Sequence, residues 1–337
     1  MTGFAVQRRL TLPASWPPTL VVVVDTEEEF DWTAPFDPAS TGVENIACQP
    51  LAQRLFAAHG VVPTYVVDYP VATTPAAAAV LRGFAAAGDC EIGAHLHPWV
   101  TPPAAGPVTA RHSYPGNLPP ALERAKLAAL TQAIETGFGR RPVVYKAGRY
   151  GVGPATAGIL RELGYRVDVS VVPHTDFSAD GGPDFNALPE GPFVIGPCAK
   201  GEKLIELPLS VHFVGALAGA GGFFHPLLAS RSARRLRLPG VAARLRLLER
   251  LRLTPEGHTL ADLRRQTRAA LAGGTRLFML TYHSSSLLPG ATGYVRSAAD
   301  RDRFLATLDA YCGDFLGRFG GRASTVATVA AALEEVA

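Results

Sequence analysis

Leu20-Val21-Val22-Val23-Val24 is an unbroken apolar run, and it stops abruptly at Asp25-Thr26-Glu27-Glu28-Glu29. A run with no polar alternation suits a strand covered on both faces, as in a parallel sheet flanked by helices. The unit recurs along the chain. Strands are predicted at 61–67, 91–94, 143–145, 165–171, 204–209 and 277–282, with helical stretches at 46–59, 75–87, 118–136 and 153–163 between them. Two further helices are expected near 298–319 and 326–336. Pro75 suits a helix start, and Gly60 and Gly88 suit helix ends. Repeated β-α-β units of this kind predict an α/β fold with a parallel sheet or barrel. The 337 residues are 47% hydrophobic and 18% charged, enough for a large core. Because α/β barrels often exceed about 250 residues as one unit, a single barrel over 1–337 is expected rather than two domains.

One segment breaks the rhythm. Residues 213–262 read as a helical insertion, split at Pro239-Gly240 and at Thr254-Pro255-Glu256-Gly257. Between Arg231 and Arg252 stand eight Arg and one acid, Glu249, a local charge of +7. The whole chain carries only +3, so the remaining residues sum to −4. That balance excludes nucleic acid or a membrane surface as a partner over the whole chain, yet leaves an anionic ligand at Arg231–Arg252 open. The ordinary alternative is a solvated Arg face. No apolar run is long enough to span a membrane. The first residues show no apolar signal-peptide core, since Pro13, Pro17 and Pro18 intervene, and a cytoplasmic protein is expected. Cys48, Cys90, Cys198 and Cys312 are far apart and form no CxxC pair, which excludes a cysteine zinc cage and fits a reducing compartment. The oligomeric state is left open.

The chemistry collects just after the strands. Asp25–Asp31 follows the first, His95-Leu96-His97-Pro98-Trp99 the third, Lys146-Ala147-Gly148-Arg149-Tyr150 the fourth, and His283-Ser284-Ser285-Ser286 the strand at 277–282; Asp168 lies in the fifth. In a parallel barrel all these strand ends share one face, the face that carries active sites. Asp25 and Glu27 are two residues apart and project alike on an extended chain, so one can bind a metal while the other accepts a proton. Glu28 and Glu29 read as a solvated loop. His95 and His97 share the same spacing and suit two ligands of one ion. Imidazoles with a carboxylate suit a divalent Zn, with Co, Ni or Fe also fitting, rather than Ca or Mg. His283 reads best as a general acid, with a third metal ligand as the alternative. Lys146 or Arg149 can orient Asp25, and a backbone N–H near Tyr150 can hold an oxyanion. Trp32, Trp99, Asp168 and His212 are the candidate substrate contacts. No GxGxxG, GxxxxGK[ST] or GxSxG occurs, which argues against an organic nucleotide cofactor and against a serine-nucleophile elbow.

As an ordered set, Val24-Asp25-Thr26-Glu27, Glu91-Ile92-Gly93-Ala94-His95-Leu96-His97-Pro98, Tyr145–Gly151 and Leu280-Thr281-Tyr282-His283 resemble the motifs of the polysaccharide deacetylase family (NodB homology, carbohydrate esterase family 4). The chain is most similar to its WalW-like branch, and the resemblance spans roughly 20–319. It implies a distorted (β/α)7-type, NodB-like barrel and metal-dependent removal of N-acetyl, sometimes O-acetyl, groups from sugars. Carried over, Asp25 matches the catalytic base and Glu27 stands nearest the metal carboxylate. His95 and His97 stand for the metal histidines, Lys146 for the residue that orients the base, Tyr150 for the oxyanion hole and His283 for the general acid. Three features differ from the family's usual pattern: Thr26 separates the two acids, one residue separates the histidines, and Lys146 replaces an Arg. The resemblance implies an acetylated sugar or glycoconjugate precursor as substrate. Two alternatives stand beside it: a metal-free amidohydrolase of cyclic amides, and a catalytically silent barrel that binds glycans or partners.

Overall fold

The computed structural model describes residues 4–196 and 203–336; Cys198 lies outside them. The apolar run forms β2 (Thr19–Thr26), buried at every position. After it come α1 (Gln49–Ala58), β3 (Thr64–Val67), α2 (Tyr69–Thr73), α3 (Pro75–Ala87) and β4 (Glu91–Leu96). Next are α4 (Pro120–Phe138), β5 (Val144–Ala147), α5 (Thr156–Glu162) and the two-residue β6 (Val167–Asp168). Gly88 takes φ 78° at the end of α3, the left-handed turn that glycine tolerates without a Cβ clash. β7 (Phe193–Gly196) and β8 (Ile205–Glu206) follow, and β11 (Leu277–His283) completes the barrel wall.

Seven strands run parallel in the order β11-β2-β3-β4-β5-β6-β8. The antiparallel β7 adds to β8, and β1 (Ala5–Arg9) adds to β7. The short β12 (Arg322–Ala323) pairs with β2. The mixed sheet therefore ends at β1 on one side and β11 on the other: a curled, open (β/α) barrel, as the sequence predicts. Three strands of this sheet are additions to the sequence expectation. β1 is exposed along its whole length and so carries no burial pattern, while β7, between β8 and β1, and β12 are brief. The fifth strand shrinks from the expected 165–171 to Val167–Asp168.

Register sets the site. Residues paired across parallel strands point to the same face, and neighbours along one strand to opposite faces. His283 pairs with Asp25, and His95 pairs with Lys146. Asp25 connects through Val66 to Gly93, two residues before His95, so Asp25, His95, Lys146 and His283 share the inner face. Ala94, Tyr145, Asp168 and Glu206 form the opposite row.

The Arg-rich segment is less helical than expected. It contains a two-stranded antiparallel ribbon, β9 (Val211–Val214) with β10 (Glu249–Arg252). Between its strands lie α6 (Gly221–Ala229), α7 (Arg231–Arg235) and α8 (Leu238–Arg244), all short. Pro226 sits inside α6 and Pro239 in the first turn of α8, which keeps a long helix from forming. The chain then returns through α9 (Leu260–Ala272), opened by a Thr259/Asp262 capping box. α10 (Ala298–Gly313) and α11 (Val326–Val336) close the chain.

Candidate active site

β2 delivers Asp25 into the barrel mouth, where it is almost wholly buried. A buried carboxylate needs a cation, and Lys146 of β5 supplies one: its Nζ lies 2.6 Å from Oδ1 and 2.7 Å from Oδ2. Burial alone would raise the Asp25 pKa. Lys146, His95 and His283 outweigh it and hold the group at about 2, so Asp25 is ionised at any working pH. The sequence leaves Lys146 and Arg149 as alternatives for this contact. Lys146 makes it, whereas Arg149 donates to Ser113 Oγ and stacks 4.1 Å above the Tyr114 ring.

Beside this pair, Glu27 Oε2 lies 3.2 Å from His95 Nε2 and 3.4 Å from His97 Nε2. The other ring nitrogen of each histidine is already engaged. His95 Nδ1 is 3.0 Å from the Lys146 carbonyl, and His97 Nδ1 is 2.8 Å from Glu28 Oε2. With Nδ1–H donating to those oxygens, both Nε2 lone pairs turn toward Glu27, the usual arrangement behind metal-ligating histidines. Burial lowers both histidines to about 4, so they are neutral as ligands must be, and raises Glu27 to about 7. The ligand atoms lie within 4.8 Å of one another, all buried. Three converging donors, one of them a buried acid paired with neither Lys nor Arg among the described residues, fit a metal ion. The fit is helped by Gly148: a Cβ there would meet His97 Cδ2 and the Leu96 carbonyl at 2.4 Å each.

His283 ends β11 with Nε2 3.6 Å from Asp25 Oδ2. Its partner is Glu256: Oε2 is 2.8 Å from Nδ1, and Oε1 accepts from the His283 backbone N–H at 2.9 Å and from Ser286 Oγ at 2.6 Å. Burial works against a charge on His283, but Glu256, Glu27 and Asp25 outweigh it and raise its pKa well above the usual histidine value. Sequence reasoning misses Glu256. Thr254-Pro255-Glu256-Gly257 reads as a turn, and nothing local shows that the turn folds back on β11.

Four expectations need correction. Glu28 is not a solvated loop residue: it is buried, holds His97, and accepts from Trp99 Nε1 at 2.7 Å. Asp68, capping α2, takes the Glu28 backbone N–H at 2.6 Å. Trp99 is buried too, stacked on His97 with ring centroids 4.2 Å apart, so its ring backs His97 and does not stand in the cavity. Asp168 lies in the opposite row, bonded to Ser170 Oγ at 2.6 Å. His212 is buried on β9, within hydrogen-bond reach of Gln266 at 3.2 Å, away from the mouth.

An open cavity of about 970 Å³ covers the centre. Asp25, Glu27, His95, His97, Arg149, Tyr150 and His283 line it, with the exposed rings of Trp32 and Tyr294 at its rim. Arg149 and Tyr150 both take positive φ, 53° and 60°, a left-handed pair that non-glycine residues rarely adopt. Tyr150 is further held through its hydroxyl, 2.5 Å from Arg252 Nη2.

No protein-family model matches the sequence, and no curated protein matches it. Solved structures do resemble the fold. A Mycobacterium smegmatis protein assigned as a polysaccharide deacetylase superposes with TM-score 0.58 and 16% identity, over 98% of this chain and 95% of that one. The Puue allantoinase gives 0.55 and 14%, over 95% and 93%. A Pseudomonas aeruginosa PAO1 protein, also assigned as a polysaccharide deacetylase, gives 0.50 and 13%, over 93% and 89%. At these identities the likeness establishes a shared fold: the chain has the NodB-like barrel of the polysaccharide deacetylases, which the allantoinase shares.

Proposed function

We propose that the chain is a metal-dependent hydrolase that removes an acetyl group, N-linked or O-linked, from a sugar or glycoconjugate precursor. The observation that carries this reading is the convergence of Glu27, His95 and His97 beside an ionised Asp25 and a carboxylate-backed His283. Glu27 Oε2 and the two Nε2 atoms would hold a divalent ion, Zn before Co, Ni or Fe, and that ion would polarise the carbonyl and acidify water. Asp25, fixed by Lys146, orients the attacking water and takes its proton. His283, kept protonated by Glu256, donates from Nε2 to the leaving nitrogen or oxygen as the bond to the acyl carbon breaks. Trp32 and Tyr294 offer rings for a sugar face at the rim. Arg149, Tyr150 and the backbone around them form the wall where an oxyanion would be met.

The allantoinase-like fold favours one second reading, hydrolysis of a cyclic amide. The two separate in a single assay on the purified chain: acetate release from N-acetylated sugars, with and without chelator, beside ring opening of cyclic amides. The first reading expects acetate release that chelation abolishes, that added zinc or cobalt restores, and that His95→Ala lacks. Full activity after chelation and in the His95→Ala/His97→Ala double variant sinks the metal-dependent reading.

A further inference from the structure

Of eleven large hydrophobic side chains exposed among the described residues, eight fall between Leu217 and Leu247. Phe223, Leu227, Leu236 and Leu245 are 60–72% exposed. Single exposed apolar residues are ordinary, but such a concentration marks an interaction surface. α6, α7 and α8 pack against one another, so these side chains occupy one region. Interleaved with them are the exposed Arg231, Arg235, Arg237, Arg244 and Arg246. No Asp or Glu occurs from Leu207 to Leu248, and Glu249, the next acid, is already bonded to Arg265.

We infer that this surface docks the protein on a membrane rich in anionic lipid headgroups. Side chains such as Phe223 and Leu236 need an apolar medium, while the guanidinium groups beside them need anions; the boundary between acyl chains and phosphate headgroups offers both at once. Arginine suits the task because its planar fork binds phosphate oxygens in pairs while its stem lies along apolar surface. A second copy of the chain fits worse, since two such faces would bring at least five cations against five with no acid between them. A nucleic-acid backbone would satisfy the arginines and leave the apolar side chains exposed. One strand links the surface to the cavity: β10 begins just beyond Leu247, and its last residue, Arg252, stands in the cavity wall.

The test is co-sedimentation of the full chain with vesicles of phosphatidylcholine alone, or mixed with phosphatidylglycerol. The wild type is expected to pellet with the mixed vesicles, less so as salt rises, and to stay in solution with the neutral ones. Leu236→Asp/Leu245→Asp is expected to weaken binding about tenfold or more through lost apolar insertion. Arg231→Ala/Arg235→Ala/Arg244→Ala is expected to weaken it roughly 100-fold through lost charge attraction. All these positions are solvent-exposed, so an unchanged melting temperature shows that the variants are folded. Failure of the wild type to pellet with anionic vesicles overturns the inference. So does equal binding by wild type and both folded variants, or a wild-type dimer that Leu236→Asp/Leu245→Asp dissociates without any vesicle binding. None of these outcomes bears on acetate release, so the reading of the cavity stands or falls separately.

Discussion

Two of the buried pairs built on an aspartate among the described residues solve the same problem in opposite ways. Asp25 meets Lys146, and the carboxylate stays charged at about 2. Asp168 meets Glu206 on the neighbouring strand; burial raises Asp168 to about 6 and Glu206 well above the usual range, so the pair keeps a proton. Both pairs sit at the ends of parallel strands. They differ by one residue of register: Lys146 faces the mouth, and its neighbour Tyr145, in line with Asp168 and Glu206, faces the other way. Position at a strand end therefore does not decide whether a buried carboxylate is charged. A cation within reach does.

The largest expected effect breaks that contrast from the charged side. Lys146→Met removes the ammonium bonded to Asp25 and leaves the carboxylate buried, a loss of about 3–5 kcal/mol of stability. Activity should fall by about 10²–10⁴-fold, the usual worth of a positioned base. Asp168→Asn, by contrast, should keep kcat/KM within about threefold, because it touches nothing in the cavity. Urea melts and steady-state acetate release on both variants decide it. Comparable activity losses in the two would mean that the register argument misassigns the face.

A smaller effect sharpens the charged side alone. Glu256→Gln keeps the side chain's size but removes the charge that raises His283, and its amide nitrogen donates where one carboxylate oxygen accepts. The His283 pKa then falls, its protonated fraction at a given alkaline pH shrinks, and the high-pH limb of kcat moves to lower pH. A pKa lower by about one would slow the reaction about tenfold on that limb, with activity on the acid side little changed. A pH profile that drops evenly at all pH values would point to a purely structural Glu256.

Much of this was legible before the structure. The apolar run of β2 and the polar cluster behind it carry their own meaning, because a strand packed in the core and its cavity-facing end leave different residue types in sequence order. So Asp25, Glu27, His95, His97, Lys146 and His283 could be named, and the structure brings them together. What stayed hidden depended on register or on distant return of the chain. Asp168 looks like Lys146 until the pairing of Tyr145 is known. Glu28 looks like Glu29, yet Glu28 turns inward to His97 while Glu29 bonds Asn45 at the loop. Glu256 acts 27 residues from His283, and no spacing rule connects them.

The subtlest prediction tests the protonated pair through stability rather than rate. A carboxyl whose folded pKa lies above its unfolded one binds its proton more tightly in the native state. Stability is then greatest below the unfolded value, near about 4 for Asp and Glu, and declines as pH rises toward the folded values. Asp168 should therefore make the protein lose stability as pH climbs from about 4 through about 6, and Glu206, raised well above its usual range, should carry the loss to higher pH. Asp168→Asn/Glu206→Gln removes the titration, so its stability should be flatter over that window, with acetate release preserved. Glu27 and Glu28 are raised too, and a bound metal would change their balance, so the melts belong on chelated wild type and chelated variant alike. If the double variant shows the same slope as wild type, the proton is not shared where the barrel's outer row places it.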